Sequence, residues 1–226
     1  MANVQQPFGF RQASGTGSNP TYEQIAEAIT SSTAAIFFGD PVAHIADGSI
    51  AGNTTSALPC CTTAIPLAGI FIGCQYLSVA NKKTTWANYW PASDANSAAP
   101  ITGYVINDPD ARFLCQAGGS TGGGFTQAMT GLLCQFNYNL AGQVSQNATS
   151  TGQSAAYVDL AATSTGSVTG VSTGSLFPFR FVSLVTPPQN FGTYSGTPPT
   201  SALLGAYNNG IVRFNTSEQN SNVAYV

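Results

Sequence analysis

His44 is the single histidine of the chain, so any imidazole chemistry must pass through it. Asp40 and Asp47 lie near it in sequence. A base oriented by a carboxylate could take the proton of a nucleophilic hydroxyl. The stretch Gly39-Asp-Pro-Val-Ala-His44 reads more simply as a turn opened by Gly-Asp-Pro and followed by a strand. Asp108 and Asp110 flank Pro109, and paired carboxylates can serve acid–base chemistry or bind calcium. Their spacing lacks the downstream bidentate Glu of an EF-hand loop and fits an Asx-type turn between two strands.

The other reactive types are equally sparse. Cys60, Cys61, Cys74, Cys115 and Cys134 are odd in number and irregular in spacing, with no Cys-x-x-Cys pair. That is neither a disulfide framework nor a zinc knuckle, so buried, apolar thiols are expected. Gly118–Gly124 is glycine-rich but is followed by no Gly-Lys-Ser/Thr, so it is not a phosphate-binding loop. No catalytic, cofactor-binding or metal-binding residue is expected.

The densest cluster is aromatic. Trp86 and Trp90, the two tryptophans of the chain, bracket Tyr89 in Lys82-Lys-Thr-Thr-Trp-Ala-Asn-Tyr-Trp-Pro91. Rigid aromatics serve cores and interface hot spots alike. Trp86 and Trp90 are four apart, which on a continuous strand puts them on one side. Phe8, Phe10 and Arg11 form a second cluster, near the N-terminus. These six residues are the candidate interface. Packing into the chain's own core is the competing reading for each aromatic, and sugar stacking a further one for the tryptophan cluster.

The elements that must position them are mostly strands. Runs rich in Phe, Val, Ile and Tyr occur at Ala35–Phe38, Ile70–Ser78, Tyr104–Ile106, Arg112–Gln116, Leu132–Tyr138, Ala156–Leu160, Leu176–Thr186 and Gly210–Asn215. Gly, Pro, Asn and Ser clusters bound them, which predicts an all-β, mainly antiparallel sandwich or barrel. Residues 1–20 read as an extended arm. Glu23, Ile25, Glu27, Ala28 and Ile29 predict a short helix over 21–31. The expected division is an arm plus helix over 1–33 and one β-rich domain over 34–226. Long Ser/Thr/Gly/Pro loops are expected at 145–154, 163–174 and 186–200.

Only 7% of the 226 residues are charged, against about 25% in an ordinary soluble domain. Net charge is −3, and the six cations are scattered. Nucleic-acid binding needs clustered cations, so it is not expected. No run approaches the ~18 apolar residues of a membrane span, and the first residues lack the charged and apolar regions of a secretory signal. Synthesis in the cytosol is therefore expected. Such an uncharged chain suits a subunit covered by its neighbours.

Several segments, in order, resemble a known family. They are Gln6-Pro-Phe-Gly-Phe-Arg11, Ile36-Phe-Phe-Gly-Asp-Pro-Val42, Gly69-Ile-Phe-Ile-Gly-Cys-Gln-Tyr76, Ala87-Asn-Tyr-Trp-Pro91, Tyr104-Val-Ile-Asn-Asp-Pro-Asp-Ala-Arg-Phe113, Leu176-Phe-Pro-Phe-Arg-Phe-Val182 and Gly205-Ala-Tyr-Asn-Asn-Gly-Ile-Val-Arg-Phe-Asn215. Their order resembles the capsid decoration, or cement, proteins of tailed bacteriophages. The resemblance implies a mostly β virion protein that clasps the outside of an HK97-type shell and carries no catalytic residues. Its partners would be the major capsid protein and copies of itself, a homotrimer first and a dimer second. A phage tail, spike or glycan-binding adhesin module is the alternative.

Overall fold

The computed structural model describes residues 6–14, 24–31, 33–52, 67–118, 124–137, 151–160, 171–172, 177–185 and 207–215. In chain order its strands are β1 (Arg11–Ser14), β2 (Gln24–Ala28), β3 (Pro41–His44), β4 (Ile50–Gly52), β5 (Gly69–Leu77), β6 (Thr84–Ala87), β7 (Thr102–Ile106), β8 (Arg112–Gly118), β9 (Leu133–Asn137), β10 (Tyr157–Asp159), β11 (Val171–Ser172), β12 (Phe179–Leu184) and β13 (Asn209–Phe214). Among the described residues the helical element is a short 3-10 turn, Gln127–Met129. The described residues are all-β, in a seven-stranded and a six-stranded sheet.

The seven-stranded sheet closes on itself. The ladders run β8–β10, β10–β9, β9–β12, β12–β13 and back from β13 to β8. β1 lies on β8 beyond the end of β10, and β11 lies on β9. Each of these pairings is antiparallel except β10–β8. Alternation lines the inside of the ring: β13 buries Gly210, Val212 and Phe214 and leaves the residues between them half-buried. Phe113, Cys115 and Ala117 of β8 and Phe179 and Phe181 of β12 point the same way, into one aromatic core. Burying each such phenylalanine stabilises the fold by roughly 2–3 kcal/mol.

The six-stranded sheet runs β2-β7-β5-β3-β4, with β6 on the other part of β5. Its core holds Ile29, Ile36, Val42, Ile50, Phe71, Trp90 and Val105. β5 and β7 serve both cores. Ile70 and Ile106 face the barrel core, while Phe71 and Val105 face the other. The first part of β5, Gly69–Ile72, is covered on both faces and has no reason to alternate, whereas from Cys74 to Leu77 burial alternates along the strand.

Two expectations are corrected here. Within the helix expected over 21–31, the described residues Gln24–Ala28 form strand β2, paired along its length with β7. Ile25 and Ile29 are four apart, a spacing that fits a helix face and a strand face equally. The neighbouring β7 supplies a ladder that decides it. Ala35–Phe38 makes two isolated bridges, Ile36 with Trp90 and Phe38 with Gln153, rather than a strand. Residues from the expected N-terminal arm enter the sheets directly, as β1 on β8.

Candidate functional site

In the six-stranded sheet, residues paired across ladders share a face. Tyr104 pairs with Gly73 and Ala26, and Gln75 pairs with Thr102 and Trp86. These residues lie on the face that, further along at Ile70 and Ile106, enters the barrel core. Past the barrel that face opens to solvent. Trp86 is 66% exposed there. Its indole stacks on Tyr104, centroids 5.4 Å apart and planes 11° apart. The Tyr104 hydroxyl donates to Gln75 Oε1 at 3.2 Å, which fixes the phenol beneath the indole. The flanking residues, Ala26, Ala28, Thr84 and Thr102, are neutral. The result is a rigid, uncharged aromatic platform.

Tyr89 and Trp90 do not join it. β6 ends at Ala87 and the chain bends, so the expected shared side of Trp86 and Trp90 is lost. Trp90 is fully buried, packs edge-on against Tyr76 at 5.5 Å, and donates its indole N–H to Thr33 O at 3.1 Å. Half-buried Tyr89 stacks on Phe37 at 5.8 Å. Asn88, just before Tyr89, donates to Thr151 O at 3.1 Å.

The N-terminal cluster is also divided. Phe10 is 1% exposed and stacks on Phe179, centroids 4.4 Å apart. Phe8 remains half-buried, with the Arg11 guanidinium 5.5 Å from its ring centroid. Arg11 also donates to Gln153 Oε1 at 2.8 Å. Thus segment 151–154 receives both clusters, Asn88 from one and Arg11 from the other.

The candidates for chemistry each have partners of their own. His44 Nε2 meets Glu27 Oε2 at 3.2 Å. Asp47 is engaged by Thr30 and Ser49, whose donors hold its carboxyl below the usual range. Asp40 is buried and bonded by the Phe37 amide. Asp108 forms the expected Asx turn, accepting the Asp110 N–H at 2.9 Å. Among the described residues no group of three or more His, Cys, Asp or Glu could hold a metal ion. No helix among them is long and apolar enough to cross a membrane. Cys74, Cys115 and Cys134 are free and buried, while Cys60 and Cys61 lie outside the described residues, as do most of the glycine run and the loop at 186–200.

Sequence reasoning missed Tyr104 and Gln75. The signal available was Tyr104 standing between Gly103 and Val105, an aromatic on the outer side of an alternating strand. Its contact with Trp86 depends on a ladder order that sequence does not give. Comparison with family models, curated proteins and solved structures finds no match for this chain.

Proposed function

We propose that this chain is a virion structural protein, a capsid decoration subunit that binds the outer surface of an HK97-type phage shell. There it would bridge and stabilise major capsid subunits as a homotrimer, or second a dimer. The exposed Trp86 on Tyr104 carries this reading: a large, rigid aromatic on a neutral face is what an interface centre uses. Low charge and the ordered resemblance of segments to decoration proteins support it. Many copies on one lattice would multiply a modest affinity at each site.

The test mixes the purified protein with shells that lack it and measures co-sedimentation. Saturable binding, reduced at least about tenfold by Trp86→Ala, is the expected result. Absence of the protein from purified particles, or failure of the unaltered chain to bind shells, would overturn it. Sedimentation velocity distinguishes trimer from dimer. The same open indole favours one second reading, a tail, spike or host-surface module that stacks on glycans. Glycan binding abolished by Trp86→Ala, without shell binding, would select that reading.

A further inference from the structure

Segment 36–40 is where the two sheets are laced together. Phe10 N–H donates to Gly39 O at 3.0 Å, and Ser154 N–H donates to Phe38 O at 3.0 Å. These partners flank β1 and β10 on the barrel side. On the other side, Gly39 N–H donates to Phe71 O at 2.8 Å, and Phe71 N–H donates to Asp40 O at 2.8 Å. The backbones cross closely. Gly39 has φ +91°, and a Cβ there would lie 3.0 Å from Phe10 N. Gly9 has φ +76°, and a Cβ there would lie 2.7 Å from the Ser154 Cβ.

The Asp40 side chain is sealed into this crossing, 1% exposed. Its Oδ2 accepts the Phe37 N–H at 2.8 Å, while Oδ1 has no hydrogen-bond partner. Ser154 Oγ accepts the Ala156 N–H at 2.9 Å, leaving its proton for the Asp40 carboxyl. An ionised carboxylate is acceptor-only and needs donors at both oxygens. With one oxygen orphaned, a buried anion here is short of donors, and burying a charge costs more than burying the neutral acid. Burial outweighs the two donors and pushes the carboxyl up to about 7. The titratable groups on the strands meeting here are Arg11 on β1, His44 on β3, Cys74 and Tyr76 on β5, and Tyr157 and Asp159 on β10. None of them contributes to that shift.

We propose that Asp40 is a proton-operated latch: protonated, it holds the segment before β1 and the segment before β10 against β5, and ionised, it loosens that crossing. The carboxyl is raised above its ordinary 3.8 in the closed state. Its contribution is therefore complete below the unfolded value and is lost as pH rises through about 7.

Amide exchange on the full chain, corrected for its intrinsic pH dependence, tests this. Protection at Phe10, Gly39, Phe71 and Ser154 should fall about tenfold per pH unit between pH 5 and 7. The β12–β13 ladder should stay flat, and Asp40→Asn should abolish the slope. Equal loss along all ladders, no pH dependence, or an unchanged slope in Asp40→Asn would overturn the latch. Should that variant fail to fold, the carboxyl carbon of Asp40 in the unaltered chain is titrated by NMR. A midpoint near 7 that tracks the exchange supports the latch, and full ionisation at pH 5 refutes it.

Discussion

Glu27 Oε2 and His44 Nε2 meet at 3.2 Å, although β7 and β5 lie between their strands in the sheet. The six-stranded sheet therefore coils until its edge strand β2 comes back over β3. A second contact repeats the clasp: Thr30 Oγ1 donates to Asp47 Oδ2 at 2.8 Å, and Asp47 Oδ1 accepts from Ser49 N–H and Oγ. Side chains, rather than a backbone ladder, close this seam. Both members of the Glu27–His44 pair keep solvent contact, so screening limits its worth to under about 1 kcal/mol. Glu27→Gln and His44→Ala should each lower stability by that amount in urea denaturation, and the double variant should lose less than the sum. Full additivity would show that the pair is not coupled.

The two tryptophans should separate cleanly. Trp90 is fully buried with its indole N–H satisfied, so Trp90→Phe or Trp90→Ala removes packing and orphans the Thr33 carbonyl. Trp90→Ala should cost about 3–5 kcal/mol. Trp86→Ala gives up little burial and one stack on Tyr104, about 0.5–1.5 kcal/mol, while removing the centre of the platform. Chemical denaturation of the two variants checks this order. A Trp86→Ala loss as large as that of Trp90→Ala would mean that Trp86 is core.

Phe10 makes the first strand part of the barrel rather than an appendage. It stacks on Phe179 and meets Phe136 edge-on at 6.2 Å. Phe10→Ala should cost about 3–5 kcal/mol, and removing residues 1–14 should cost at least as much. Phe8→Ala, at a half-buried ring that the Arg11 guanidinium overlies at 5.5 Å, should cost under about 1 kcal/mol. Thermal melting of the three variants reads the difference. An arm that merely docks on a partner would leave the melting temperature unchanged in all of them.

Much of the strand content was legible because alternation and turn residues are local. The alternation of Arg112–Gln116 marks a strand, which extends to Gly118 in the structure. Gly210–Asn215 became Asn209–Phe214. Strand β2 was misread because Ile25 and Ile29 fit both periods, and the deciding partner, β7, lies far along the chain. The platform was half legible: Trp86 was named, but its support by Tyr104 and Gln75 depends on β6 and β7 flanking β5. Sequence proximity offers Asp40 as a partner for His44, whereas its burial comes from a crossing of segments, Phe38 and Ser154 among them, that lie more than a hundred residues apart.

The described cysteines should be chemically silent until the chain unfolds. Burial pushes Cys74 and Cys134 up to about 12 and raises Cys115 further above the usual thiol range. The thiolate is the nucleophile, so at pH 8 only about one molecule in ten thousand presents one at Cys74 or Cys134. The Cys74 thiol is further occupied, donating to Tyr89 O at 3.3 Å. Iodoacetamide followed by peptide mapping should leave Cys74, Cys115 and Cys134 unmodified in the folded protein and label all three in urea. Mapping by peptide keeps Cys60 and Cys61 separate from this readout. Fast native labelling at Cys115 would mean that the barrel opens, since its side chain lies inside the closed ring of strands.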